Sequence, residues 1–402
     1  MSGFVRGSAR ATQAAPYFPV ISQILGISWW NVGWIPVIAS ALLTCIGIVA
    51  IGTTEPNYAL RQFAYSVVGV VAAALIVVPL PSIIERWSPV IYLLTLGLLV
   101  LLIAPGVPEA IVRARNGSRC WIDLGPIDVQ PAEFAKVAWI LAGAWWLRRA
   151  ADVRSRTGVL LPIVLTAVPV LLILVQPDLG TALLFFPTLL AMLLTQGARR
   201  LHLGVVVLSA AVVASASYPM LKPHQRARID SLIAQLKGDD RYNRTIGFQA
   251  DRARILVGSG GFFGNGVENA KNLVRFNALP EEHNDMIFAV VACRWGLMGG
   301  MMVIFLEAAI VFGAMWIGVT SRNPYSRLVG TGFGAMVGFQ AFVNIGMTLG
   351  ILPITGLTLP FVSFGGSSIV ASWIAMGILF SMAARDAKAG GTMGGSAIRG
   401  NV

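Results

Sequence analysis

The segment Leu279-Pro280-Glu281-Glu282-His283-Asn284-Asp285 places three carboxylates and an imidazole side by side and runs straight into the apolar stretch 286–291. A carboxylate at such a water–lipid boundary loses part of its hydration, which raises its pKa and its strength as a base. Asp285 is therefore a candidate general base. It equally suits the cap or first turn of a helix, where the dipole favours an anion. His283 either titrates or sits on the surface. A second cluster runs from Arg119-Cys120-Trp121 through Gln130-Pro131-Ala132-Glu133-Phe134-Ala135-Lys136. Pro131 suits a first helical position and Glu133 a first turn. Lys136 lies just inside an apolar run, where an ionisable group is costly unless paired or used. Glu133, three residues back on the same face, can pair with it, so the two read as a structural ion pair or as a functional site. In Gln176-Pro177-Asp178-Leu179-Gly180-Thr181 the leading reading is a turn with Asp178 capping the next helix. The fourth cluster holds Gln340, Asn344, Thr355, Thr358, Ser363, Ser367 and Ser368 among glycines and prolines. Non-helical backbone at membrane depth is tolerated only where it is buried or lines a cavity. This stretch predicts either a hydrated cavity near the outer face or tight packing through Gly and Ser.

The elements that must hold these residues follow from composition. The chain has 402 residues, 56% hydrophobic and 12% charged, against about 25% charged in soluble domains. Runs such as 69–80, 90–103, 159–175 and 205–213 carry no charge. Crossing a hydrocarbon core of roughly 30 Å takes about 20 apolar residues, and these runs lack the alternation of barrel strands. The prediction is an all-α polytopic membrane protein with ten spans, near 33–52, 61–80, 87–105, 132–148, 158–175, 180–196, 203–220, 286–316, 327–349 and 366–384.

A net charge of +12 points here to topology and not to nucleic acid. Arg6, Arg10, Arg86, Arg148, Arg149, Arg154, Arg156, Arg199, Arg200, Arg322, Arg327, Arg385, Lys388 and Arg399 all fall on one side. Short outer loops hold few basic residues, and long loops are exempt from the bias. Both termini are therefore expected in the cytoplasm and the long segment 221–285 outside. Residues 1–32 form an N-terminal segment without a cleavable signal, in which 16–30 reads as an interfacial helix or an extension of the first span. The membrane domain covers 33–385, and 386–402 reads as a disordered tail. Within 221–285, the stretches 229–236 and 247–257 read as short amphipathic helices and 258–266 is glycine-rich. Cys45, Cys120 and Cys293 have neither a disulfide framework nor metal-ligand spacing. No tandem repeat supports a transporter built on inverted repeats.

Taken together, four blocks in order resemble the SEDS family (RodA, FtsW and SpoVE), and within it the RodA branch: WIDLGP…QPAEFAK, QPDLGTALLFF, GSGGFFGNG…LPEEHNDMIFAV and NIGMTLGILPITGLTLPFVSFGGSS. The resemblance spans roughly 35–385. It implies a ten-helix fold with a large outer loop between the seventh and eighth helices. It also implies a bacterial inner-membrane enzyme that polymerises lipid II outside the cytoplasm for cell elongation and shape, beside a class B penicillin-binding protein. The family's proposed catalytic Asp falls on Asp285. Its QP-x-E-x-x-K pair falls on Glu133 and Lys136, and its Arg before Trp-Ile on Arg119. His283, Glu282, Arg226, Asn344 and Ser367 complete the expected substrate-binding set. Departures from the family pattern stand at Cys120, Arg252, Ala253, Leu256, Cys293, Arg294 and Phe364.

The chemistry implied is the conversion of an α-linked pyrophosphate donor into a β-1,4 bond, a single inversion for which one base suffices. Asp285 would take the acceptor's 4-hydroxyl proton, with Lys136, Arg119 and some of Arg226, Arg228, Arg252 and Arg254 facing the leaving pyrophosphate. No dedicated metal ligand set is evident, although a divalent cation could share that charge. Two rivals stand beside this reading: a flippase for the lipid-linked precursor, and a catalytically silent scaffold for a transpeptidase.

Overall fold

The computed structural model describes residues 31–78, 81–108, 111–112, 118–125, 128–149, 155–218, 226, 230 and 248–396. The helices are α1 (Trp34–Thr54), α2 (Pro56–Val77), α3 (Pro81–Ile103), α4 (Pro131–Leu147), α5 (Arg156–Val175), α6 (Leu179–Thr195), α7 (Arg200–Ser217), α8 (Phe248–Ser259), α9 (Gly266–Asn277), α10 (Ile287–Thr320), α11 (Pro324–Thr348) and α12 (Gly366–Ser396). A two-residue antiparallel ladder, β1 (Ile122–Asp123) with β2 (Asp128–Val129), precedes α4. Proline opens α2, α4 and α11, where a missing N–H is harmless and the fixed φ fits the helix.

Among the described residues, seven helices are long and apolar enough to cross a membrane: α1, α2, α3, α10, α11, residues 158–175 of α5 and residues 366–387 of α12. The helix α6 and residues 200–213 of α7 are apolar but shorter. All ten apolar stretches of the sequence overlap a helix. The outward faces of α2 and α3 are apolar, with Phe63, Val67, Val71 and Leu75 exposed on α2; such a continuous apolar belt belongs in lipid. Inside, small residues bring helices together. Gly330, Gly334 and Gly338 of α11 meet Ala314, Met315 and Val311 of α10, and Gly69 of α2 meets Trp373 of α12. Helix α4 lies at the centre: of its residues only Phe134, Trp145 and Trp146 are not buried.

Three features differ from the sequence expectation. The helix predicted at 247–257 is α8, but a further helix, α9, follows the glycine-rich stretch; 229–236 falls mostly outside the described residues. Helix α12 continues to Ser396, beyond the expected end of the membrane domain. Most consequentially, the expected single span 286–316 is two pieces. Gly296 breaks α10 with φ 66° and ψ −158°, a region open essentially to glycine alone. Phe288 packs within 3.3 Å of the Cβ position of Gly300, though residues twelve apart in a straight helix are separated by about 18 Å. The chain therefore turns back on itself at Gly296. Residues 287–293 are buried on every side, so the first piece is an internal half-helix and only the second faces lipid.

The glycine-rich segment between α8 and α9 receives this bend. Leu297 N–H donates to Gly261 O (2.9 Å), Met298 N–H to Phe262 O (3.3 Å) and Asn265 N–H to Cys293 O (3.0 Å). A Cβ at Gly260 would overlap the Ala292 carbonyl, and one at Gly264 the Arg294 carbonyl. Two backbones thus meet face to face, and the groups freed by the kink find partners.

Candidate active site at the start of the half-helix

Asp285 stands immediately before the half-helix and is buried. The N-cap of that helix is Met286, without a side-chain capping bond, and among the described residues no bond joins the Asp285 carboxylate to the helix's own N–H groups. On the side of α8, Gln249 Nε2 lies 3.5 Å from Asp285 Oδ1. Its backbone carbonyl accepts a 2.9 Å bond from Asn344 Nδ2.

Asn344 belongs to a polar ladder at one-turn spacing on α11. Gln340 receives Lys136 Nζ on Oε1 (3.2 Å) and donates to Thr358 O (2.9 Å). Asn344, fully buried, gives its second amide hydrogen to Leu357 O (2.7 Å). Thr348 donates to Asn344 O (2.9 Å) and touches Met286 Sδ. The non-helical segment 349–365 is thereby clamped to α11 through its own carbonyls, which is how irregular backbone persists inside a helical bundle. The ladder thus ties Lys136 and the Asp285 peptide to two side chains of α11 that stand one helical turn, about 6 Å of rise, apart on one face.

Lys136 and Glu133 form the buried pair that their spacing allows, with Nζ 3.0 Å from Oε1 and 2.9 Å from Oε2. Asp178 caps α6 by accepting from Thr181 N–H (3.0 Å), as the sequence suggested. Gln130 Nε2 reaches its other oxygen at 3.5 Å. Burial pushes the Asp178 carboxyl above the usual carboxylate range; the Thr181 bonds hold it down, and Glu133 and Lys136 act on it with opposite signs. Ser367 Oγ accepts from Gln130 N–H (2.8 Å) and donates to Asp128 O (3.1 Å), tying α12 to the ladder before α4.

The remaining predicted residues divide. His283 stacks on Tyr58, with ring centroids 4.5 Å apart, and lies edge-on to Phe364. Arg119 bonds Val107 O at 3.2 Å. Arg226 donates to Tyr218 O at 3.1 Å beyond the end of α7. No bond between described residues joins Arg119 or Arg226 to the Asp285–Lys136 face. Gln340 stood in the fourth sequence cluster but outside the expected substrate-binding set, and Gln249 was not singled out from sequence. The signal for Gln340 was its place one turn before Asn344; nothing local marks Gln249. Among the described residues no group of three or more His, Cys, Asp or Glu is arranged to hold a metal.

Glu282 lies beside Thr54 and is partly buried. Burial raises its carboxyl above the ordinary 4.5, while the Thr54 hydrogen bond and His283 oppose the rise. A carboxyl whose folded pKa exceeds its unfolded one contributes full stability below the ordinary value and loses it as pH rises through the folded value. Glu282→Gln should therefore match the parent in thermal stability in detergent at pH 4 and exceed it at pH 7. Equal melting temperatures at both pH values would count against this.

Several departures from the family pattern take structural parts. Arg294 donates to Val49 O and Thr53 Oγ1, both at 2.7 Å, at the end of α1. Arg252 holds Asn277 of α9 at 3.1 Å, and Ala253 and Leu256 lie on the buried face of α8. Cys120 Sγ donates to Gln176 O at 3.2 Å.

Comparison with known proteins decides the lineage. Residues 24–388 match the family model for FtsW, RodA and SpoVE, described as cell cycle protein. The chain belongs to the FtsW/RodA/SpoVE family. Relatives within the family include a probable peptidoglycan glycosyltransferase FtsW of Nitrosococcus halophilus, 33% identical over 359 residues, covering 88% of this chain and 89% of that one. The peptidoglycan glycosyltransferase MrdB of Escherichia coli K12 is 33% identical over 304 residues, covering 75% and 79%. Among solved structures, a chain from work on the structural coordination of polymerization and crosslinking by a peptidoglycan synthase complex aligns with a TM-score of 0.72 at 28% identity, covering 86% of this chain and 96% of that one. The rod shape determining protein RodA of Thermus thermophilus aligns with a TM-score of 0.64 at 27% identity, covering 87% and 95%.

Proposed function

We propose that this FtsW/RodA/SpoVE-family protein is a peptidoglycan glycosyltransferase that polymerises lipid II into β-1,4 glycan strands for cell elongation and shape, at the outer face of the bacterial inner membrane. In this reading ten helices cross the bilayer, both termini are cytoplasmic, and 221–285 lies outside. The observation that carries the proposal is the Asp285 carboxylate, buried at the start of the half-helix, on a backbone held by Asn344, one turn of α11 from the Gln340 that holds Lys136.

Asp285 takes the proton from the acceptor sugar's 4-hydroxyl. That oxygen forms the new bond to the donor's anomeric carbon as the bond to pyrophosphate breaks, with inversion. Lys136, poised by Gln340 and Glu133, supplies fixed positive charge where the leaving oxygen becomes anionic, an effect strongest where water is excluded. The polyprenyl tail lies between spans. The names of the relatives support the activity, and the synthase complex among the structural neighbours supports a class B penicillin-binding protein as partner. The test is conversion of purified lipid II into glycan strands by the purified protein, with and without that partner. Transbilayer movement of labelled lipid II without polymer would replace the proposal with a flippase. Full cellular function with no polymer in either assay would replace it with a scaffold.

A further inference from the structure

Phe262 and Phe263 are exposed, Phe263 by 81%, at the tip of the glycine-rich turn between α8 and α9. In a water-facing loop such a pair is an apolar liability. Their surroundings are not those of a water-facing loop. The turn is fixed by backbone bonds from Leu297 and Met298, the first two residues of the lipid-facing part of α10. Leu297, Met298, Met301 and Phe305 are themselves exposed and apolar, so the two phenylalanines continue that surface.

Depth follows from length. Residues 297–320 rise about 36 Å, against roughly 30 Å of hydrocarbon. The Leu297 end of this helix, and the turn welded to it, therefore meets the outer hydrocarbon boundary, the level at which aromatic side chains gather. Resting on the membrane topology of the preceding section, we infer that Phe262 and Phe263 form a lipid-inserted anchor. They dip into the outer leaflet beside α10 and moor the crest of the half-helix, at Gly296, to the bilayer. Their occupant is lipid, at the junction of acyl chain and glycerol. The anchor is not part of the reaction chemistry; it fixes the height of the element that carries Asp285.

Photocross-linking reads the occupant directly. Benzoylphenylalanine is placed at Phe263, and as a control at exposed Asn269 on α9, and the full chain is reconstituted in phosphatidylethanolamine–phosphatidylglycerol vesicles. Irradiation should add the mass of one phospholipid at position 263, severalfold more than at 269. Equal or no lipid adduct at 263 would overturn the anchor. So would a cross-link to residues 231–247, to a second copy, or, in the reconstituted synthase complex, to the partner protein. Because the readout needs no turnover, failure of the polymerase proposal leaves it intact. A reversed topology would keep the lipid adduct and show separately, through impermeant labelling of the loop.

Discussion

Purified Asp285→Asn protein should insert, fold and melt like the parent yet polymerise lipid II 10²–10⁴-fold more slowly, the usual worth of general-base help. The structure separates the two effects. The bond that secures this position to α11 uses the backbone carbonyl of Asp285, which the substitution leaves in place. The side-chain contact with Gln249 is one that an amide oxygen also accepts. Both contacts survive the substitution, while the carboxylate's basicity is lost. An Asn variant retaining most of the parent's turnover would remove Asp285 from the reaction. A variant that fails to fold would show instead that the carboxylate is structural. Lipid II polymerisation and thermal stability, measured on one preparation, tell these outcomes apart.

Lys136→Ala should strongly destabilise the protein. It leaves Glu133 charged, buried and without its partner, and breaking a buried pair from one side costs about 3–5 kcal/mol. It also frees Gln340 Oε1, which shares the same ammonium. The double variant Glu133→Gln/Lys136→Met should recover most of that stability, because replacing both members of a buried pair is often close to neutral. Activity should stay low in the double variant, since the cation proposed to face the leaving group is gone. Normal polymerisation by the double variant would reduce the pair to packing. Thermal unfolding in detergent and glycan product yield report the two quantities separately.

The parts legible in the sequence were those fixed by local spacing. The apolar runs predicted helices because lipid leaves the backbone no other partner. Glu133 and Lys136 at i and i+3 predicted their own pairing, and Asp178 before Leu179 predicted a cap. What was not legible depends on contacts between distant segments. Hydropathy reads 286–316 as one span because both halves of α10 are equally apolar; one glycine with a positive φ separates them. The clamping role of Asn344 needs the positions of Asp285 and Leu357, neither of which a pattern on α11 reveals. Gln249 joins the site only because α8 lies against the start of the half-helix. Helix α9 went unnoticed since its polar composition resembles a loop.

The reversal at Gly296 also bears on how the chain is made. Insertion machinery that weighs hydropathy meets Ile287–Thr320 as one long hydrophobic stretch, with Arg294 and Glu307 as its charged residues. Its first nine residues, however, have their seat against α1, α8 and α11, and α11 is synthesised afterwards. The half-helix therefore reaches its place only as a late, post-insertional step. A nascent chain halted before α11 would carry seven successive apolar side chains with one wall of their seat missing, a form that membrane quality control is suited to recognise.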